Sequence, residues 1–178
     1  MSRPQNAGNR EALLADLGLA MRRSGTQGSL LSNAVAARIG ISANDFECLD
    51  IVNLEGAVTP GHLAEATGLT TGAITGVIDR LEKAGFVRRD SDPTDRRRIL
   101  VRPIKENTQV IGTYYQSLQQ RLFALLDDLA TPELARLLAL YNDVNEMFAD
   151  EIRDLKERAY PPSKKHRTKP LPAKGDPA

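Results

Sequence analysis

Three consecutive arginines, Arg96, Arg97 and Arg98, follow Asp92-Pro93-Thr94-Asp95 in this chain. Guanidinium groups grip phosphate through paired N–H donors and are drawn into narrow minor grooves. A solvated arginine loop is the ordinary alternative for such a run. Upstream lies a second set: Thr70, Thr71, Gly72, Ala73, Thr75 and Gly76, then Arg80 and Lys83, on a stretch of helical spacing, with Arg88 and Arg89 just past its end. Threonine methyls suit thymine methyls, and hydroxyls suit base edges. Together the two sets read as a surface for double-stranded DNA.

Such residues need elements to hold them, and residues 63–102 provide a plan. Thr59-Pro60 is a helix start, with a hydroxyl cap and a proline in the first turn. Ala64 is small where that helix passes close to the next. Gly68 can take the positive φ of a tight turn. Thr70 caps the second helix, and Gly85-Phe86 reads as its end. Helical spacing turns Ile74, Val77, Ile78 and Leu81 inward, against Leu63, and leaves Thr71, Gly72, Thr75, Gly76 and Asp79 facing out. This is the spacing of a helix-turn-helix, whose second helix enters the major groove. An ordinary helical hairpin has the same spacing. The next residues tip the balance: a strand-like run, Phe86-Val87-Arg88-Arg89, turn residues at 90–94, and a second run, Arg98-Ile99-Leu100-Val101-Arg102. That is a β-hairpin wing with the three arginines at its tip.

The outward face of the second helix is small and nearly uncharged. No arginine precedes Arg80, so bidentate guanine readout near the helix start is missing. Gly72 and Gly76 each cost about 1 kcal/mol relative to alanine in a helix. Either packing tolerates them or they let DNA approach the backbone. Affinity is therefore expected from phosphate contacts by Arg80, Lys83, Arg88 and Arg89, and from the minor groove through Arg96, Arg97 and Arg98.

The run Ile78-Asp79-Arg80-Leu81-Glu82-Lys83-Ala84-Gly85-Phe86-Val87-Arg88-Arg89, with Asp92-Pro93 and Asp95-Arg96-Arg97 after it, resembles the MarR family of bacterial transcriptional regulators. The match is dense over residues 42–102 and holds in outline over 11–158. The resemblance implies a homodimer on a pseudo-palindromic operator. It implies a repressor in the usual case, released by a small molecule or an oxidant. It implies that Asp95 orients Arg97, an Asp-x-Arg pair of the wing. Two departures stand out. Gly76 occupies a place where many members carry arginine or lysine. Pro103-Ile104 stands where the family leaves the wing through a Leu-Thr pair. Proline has no N–H for the ladder, so the second strand is expected to stop by Arg102, with the helix cap moved, for instance to Asn107.

Composition sets limits. The 178 residues suffice for one domain, or one domain with tails, and 41% are hydrophobic. No apolar run reaches membrane-spanning length. The first eight residues lack a signal-peptide core. A single cysteine excludes an intramolecular disulfide and fits a reducing compartment, so a cytoplasmic protein with no membrane contact is expected. The net charge of +1 hides a gradient. Residues 59–102 carry 8 basic and 6 acidic side chains, residues 103–158 carry 6 and 10, and residues 159–178 carry 5 and 1. An acidic body is repelled by phosphate and turns the basic face toward it.

The remaining chain reads as helix. Residues 11–23 form one, with Gly25 and Gly28 interrupting it before residues 29–39 resume. Residues 42–54 begin with Ser42 and Asp45 in a capping-box pattern. Residues 106–129 carry an apolar stripe through Ile111, Tyr115, Leu118, Leu122, Leu125 and Leu129. Thr131-Pro132 starts another helix with Leu134, Leu138, Tyr141, Phe148, Ile152 and Leu155. Stripes this long exceed what a small winged domain can cover, and a second copy is the simplest cover. A self-packed helical hairpin is the alternative. The expected fold class is mainly α with a small β-hairpin wing: a winged helix-turn-helix at 42–102 flanked by dimerisation helices at 11–39 and 106–158. Residues 1–10 are expected to be a flexible N-terminus. The proline-rich basic tail at 159–178 is expected to be disordered.

Control of the protein is less legible. The resemblance points to small aromatic effectors, typically anions, bound between dimer helices and winged lobe. Phe46, His62, Tyr114 and Tyr115 are candidates to line that site, with Arg22 as charge partner. Each also reads as ordinary core or surface. A thiol-based redox switch through Cys48 is an alternative, weakened by its acidic neighbours Glu47 and Asp50. A winged-helix adaptor that binds protein and no DNA is another, and the arginine tip argues against it. No metal-ligand spacing, phosphate-binding glycine loop or nucleophile motif occurs, so no catalytic residue, metal or cofactor is expected.

Overall fold

The structure is a computed structural model and describes residues 10–158. The expectations for the first nine residues and for the tail after residue 158 lie outside the described residues. Eight elements follow in order: α1 (Arg10–Ile39), α2 (Ala43–Glu55), α3 (Pro60–Thr67), α4 (Thr71–Lys83), β1 (Val87–Ser91), β2 (Ile99–Pro103), α5 (Lys105–Leu126) and α6 (Thr131–Glu157). The fold class is as expected, mainly helical with one antiparallel hairpin. The chain divides into two units, Met1–Asp127 and Asp128–Ala178. Among the described residues no helix is long and apolar enough to cross a membrane.

The first unit is built around one core. Val35 and Ala36 of α1, Phe46, Leu49 and Val52 of α2, Leu63 of α3, and Ile74, Val77, Ile78 and Leu81 of α4 are buried together. Val87 and Val101 of the hairpin and Ile111 of α5 close it. The second unit contains α6, which buries none of its residues.

The helix starts are chemical as well as hydrophobic. Ser42, Thr59 and Thr70 each accept a hydrogen bond from the backbone N–H three residues on, at 3.1, 3.1 and 3.3 Å. Each satisfies an N–H that the helix itself leaves without a partner. Gly68 and Gly85 end α3 and α4 at φ values of 72° and 79°, where a side chain would be strained.

Four expectations are corrected. Gly25 and Gly28 do not interrupt α1, which runs unbroken over 30 residues. A glycine penalty of about 1 kcal/mol each is too small to break a helix that is favourable on both sides. The second wing strand reaches Pro103, one residue past Arg102, with Pro103 opposite Val87. The ladder bond belongs to the next residue, because Ile104 N–H donates to Phe86 O at 2.8 Å, so no N–H is asked of the proline. Asn107 is no cap: α5 starts at Lys105 without a side-chain cap, and Asn107 Nδ2 donates to Gly85 O at 2.7 Å. Both wing strands also begin one residue later than the sequence pattern places them, at Val87 and Ile99.

Candidate nucleic-acid interface

Helix α4 presents two faces. Ile74, Val77, Ile78 and Leu81 are buried. Thr70, Thr71, Gly72, Ala73 and Thr75 are exposed, and Gly76 is half-exposed. A Cβ at Gly72 would meet open space, so packing within the chain gives no reason for that glycine. A Cβ at Gly76 would lie 3.4 Å from Arg80 Nη1. The Thr75 hydroxyl donates to Thr71 O at 3.0 Å and so is turned back onto its own helix. Lys83 is exposed at the end of α4.

The arginines divide by what already holds them. Arg80 donates from Nε to Asp45 Oδ2 at 3.0 Å and from Nη2 to Oδ1 at 2.6 Å. Asp45 is 4% exposed and Arg80 is 58% exposed. Arg80 beside Asp45 holds its carboxyl below the usual carboxylate range, against the burial that raises it. Arg89 is 29% exposed and donates to Asp79 at 2.6 Å and to Glu82. It therefore braces the first wing strand against α4. On the other face of the hairpin, Asp90 receives Arg88 at 3.1 Å and Arg102 at 3.3 Å.

The wing tip differs. Asp92 is buried and accepts from the Thr94 backbone N–H at 2.8 Å and from its hydroxyl at 2.6 Å, which keeps its pKa low. Asp92 N–H donates to Arg98 O, and Arg98 N–H to Asp95 O, which closes the loop. Asp95 Oδ1 accepts both the backbone N–H of Arg97, at 3.1 Å, and its Nε, at 3.2 Å. The Arg97 side chain is nonetheless 92% exposed. Arg96 and Arg98 are also exposed. The tip is thus a fixed loop that holds guanidinium groups in solvent.

The five candidate effector residues are not gathered in one cavity. A cleft of about 390 Å³ lies between α1 and α2. Ser29, Ser32, Asn33, Phe46, Glu47 and Asp50 are among its walls. Of the five, only Phe46 lines it. Tyr115 approaches through Ser32, its hydroxyl 3.4 Å from Ser32 Oγ. His62 is paired with Glu55 at 2.8 Å, and Tyr114 and Arg22 are exposed. The cleft holds two carboxylates and no basic side chain, and burial raises the Asp50 pKa. Cys48 is fully buried; burial first, then the Glu47 and Asp45 charges, push its thiol up to about 11.

Sequence reasoning missed Asp45 as a partner of Arg80. The capping pattern at Ser42 accounts for Asp45 locally, and its place beside Phe46 on the buried stripe of α2 is the available signal. The carboxylates that hold Arg89 were also missed.

Comparison with known proteins places this geometry. A family model described as MarR family matches residues 41–99. The HTH-type transcriptional regulator YcgE of Bacillus subtilis (strain 168) is 33% identical over 136 residues, which is 76% of this chain and 88% of that protein. The multiple antibiotic resistance protein MarR of Salmonella typhimurium is 29% identical over 108 residues, 60% of this chain and 75% of that one. Among solved structures, the multiple antibiotic resistance repressor MarR is 27% identical with a TM-score of 0.51, over 72% of this chain and 94% of its own. Transcriptional regulator Tm0710 from Thermotoga maritima has the same fold, with a TM-score of 0.56 at 21% identity over 81% and 99%.

Proposed function

This chain belongs to the MarR family of DNA-binding transcriptional regulators, and from that premise we propose that it is a homodimeric repressor of a pseudo-palindromic operator. The observation that carries the reading is the wing tip: Arg97 is held by Asp95 yet 92% exposed, between two further exposed arginines. A guanidinium fixed in solvent has no work within its own chain and is pre-organised for a narrow groove. The exposed face of α4 from Thr70 to Gly76 lies against the major groove, Lys83 and Arg88 meet phosphate, and the free N–H groups of Arg80 face the DNA. Arg89 has the smallest share, because two carboxylates already hold it.

Dimerisation has its own support. Leu13, Leu14, Leu17 and Leu30 of α1, and Leu118, Leu122 and Phe123 of α5, are exposed. So are Leu138, Tyr141, Phe148 and Ile152 of α6. Apolar exposure on this scale marks an interaction surface. Two copies set their α4 helices about one DNA turn, roughly 34 Å, apart.

Repression is relieved, in this reading, by a small aromatic ligand. Phe46 in the α1–α2 cleft supports that. The carboxylates Glu47 and Asp50 in the same walls favour a neutral phenol over an aromatic anion. Full burial of Cys48 supports a ligand switch over a thiol switch.

Selection of bound duplex from a randomised DNA pool tests the core of the proposal. Inverted repeats with half-sites one turn apart are expected, together with twice the chain mass in sedimentation. Recovery of no common sequence refutes operator recognition, and a monomer at micromolar concentration refutes the dimer.

A further inference from the structure

The first nine residues of α4 carry no basic side chain, so Arg80 is the earliest cation the helix can offer to DNA. Its position is not left to chance. Asp45 stands on another helix, 35 residues away in sequence, and takes Nε and Nη2 of the guanidinium in a fork. That carboxylate is itself anchored. It sits in the first turn of α2, whose cap Ser42 accepts the Asp45 backbone N–H, and it is buried. A guanidinium has five N–H donors and this fork uses two. Three are left, including both on Nη1. Among the described residues, no hydrogen bond uses Nη1.

Gly76 shows where Nη1 lies. It is one turn before Arg80, and a Cβ built there would be 3.4 Å from Nη1. The arginine thus leans back over the preceding turn, as long helical side chains do. It rests beside a residue with no side chain, and Gly72, one turn further, is open as well. The guanidinium and the two glycines follow one another at one-turn intervals along the helix, with Gly72 and Arg80 exposed and Gly76 half-exposed.

We propose that Asp45 is a positioning residue for DNA recognition: its buried carboxylate holds the Arg80 guanidinium over Gly76, so that Nη1 is offered ready-oriented to an acceptor on DNA. That acceptor is a guanine edge or a phosphate oxygen, both of which accept from guanidinium N–H. The inference rests on the DNA-binding reading above and adds a carboxylate that touches no DNA. It also makes a prediction of unusual sign. Removing a carboxylate near a DNA-binding surface ordinarily strengthens binding, because repulsion of phosphate is relieved. Here the same removal weakens binding, because the fork is lost.

The test uses the full-length chain and the duplex that the wild-type chain selects from a random pool. Binding is titrated at one salt concentration for wild type, Asp45→Asn, Arg80→Gln and the double variant. Asp45→Asn keeps the shape at the Ser42 cap, and Arg80→Gln leaves Asp45 a donor, so both are mild toward the fold. Thermal melts place every titration below unfolding. Each single variant is expected to bind about tenfold more weakly. The double variant is expected to be no weaker than Arg80→Gln alone. Unchanged or tighter binding by Asp45→Asn, or additive losses in the double variant, overturns the proposal and leaves DNA binding standing. A wild-type chain that retains no duplex overturns both. Base-pair substitutions separate the acceptors. With a guanine edge, Arg80→Gln abolishes discrimination at one base pair. With a phosphate, all duplexes weaken alike and the salt slope falls by about one.

Discussion

The tip and the root of the wing carry similar arginines in opposite circumstances. At the root, Arg89 is shared between Asp79 and Glu82 and is mostly covered, and Arg102 is bridged to Asp90. At the tip, the acidic residues hold the loop more than they cover the cations: Asp92 binds Thr94, and Asp95 binds only one edge of Arg97. A count of basic residues therefore overstates a DNA-binding surface. A guanidinium whose donors already meet carboxylates braces the fold; one held by a single edge in solvent is ready for a partner.

The largest effect is expected where the two regions differ most. Replacing Arg96, Arg97 and Arg98 together with alanine removes three exposed cations, and operator affinity in a gel-shift titration is expected to fall about 100-fold or more. The thermal unfolding midpoint is expected to stay put, because these side chains bury nothing. A large fall in that midpoint breaks the contrast, since the tip would then be structural too.

Substitution at the root should do the reverse. Arg89→Ala is expected to cost about 1 kcal/mol of unfolding free energy, as befits a partly covered network, in chemical denaturation. Its operator affinity should change by no more than about twofold, within the range of a rim contact that is already neutralised.

Acid offers a gentler probe of the same idea. The folded-state pKa of Asp45 lies below its ordinary value of 3.8. Its contribution to stability is therefore complete above that value and is lost as pH falls through the depressed one. Between pH 5 and pH 3, stability measured by denaturant titration should fall less steeply in Asp45→Asn than in wild type. Equal slopes count against the Asp45–Arg80 pair.

The smallest expected effect is none. With its thiol buried and its pKa pushed up to about 11, Cys48 holds almost no thiolate near neutrality. Peroxide at concentrations that oxidise exposed thiols should leave DNA binding unchanged; release of the duplex would restore the redox alternative.

What the sequence made legible was local. Ser42, Thr59 and Thr70 cap helices within three residues of themselves, and Gly68 and Gly85 answer a backbone need at one position. Such signals survive without tertiary structure. The inward set Ile74, Val77, Ile78 and Leu81 is likewise fixed by helical periodicity. The partnerships of Arg80 and Arg89 were hidden, because they join residues 35 and 7 to 10 positions apart on different elements. No spacing rule distinguishes a paired arginine from a free one. Gly25 and Gly28 act in the other direction: they carry a weak local preference against helix that the surrounding helix overrides. There Thr26 and Ser29 instead donate their hydroxyls to carbonyls one turn back, at 3.1 and 3.2 Å, and α1 runs on. Pro103 misled because the pairing register, which decides whether its missing N–H matters, is not written in the residue itself.

The division of labour between tip and root can be put to a single comparison. Wild type, Arg97→Ala and Arg89→Ala are titrated against the selected duplex by fluorescence anisotropy across a range of salt. Arg97→Ala is expected to bind about 30-fold more weakly, with a salt slope lower by about one, while Arg89→Ala keeps the wild-type slope. Equal losses in the two variants, or a greater loss for Arg89→Ala, would contradict that division.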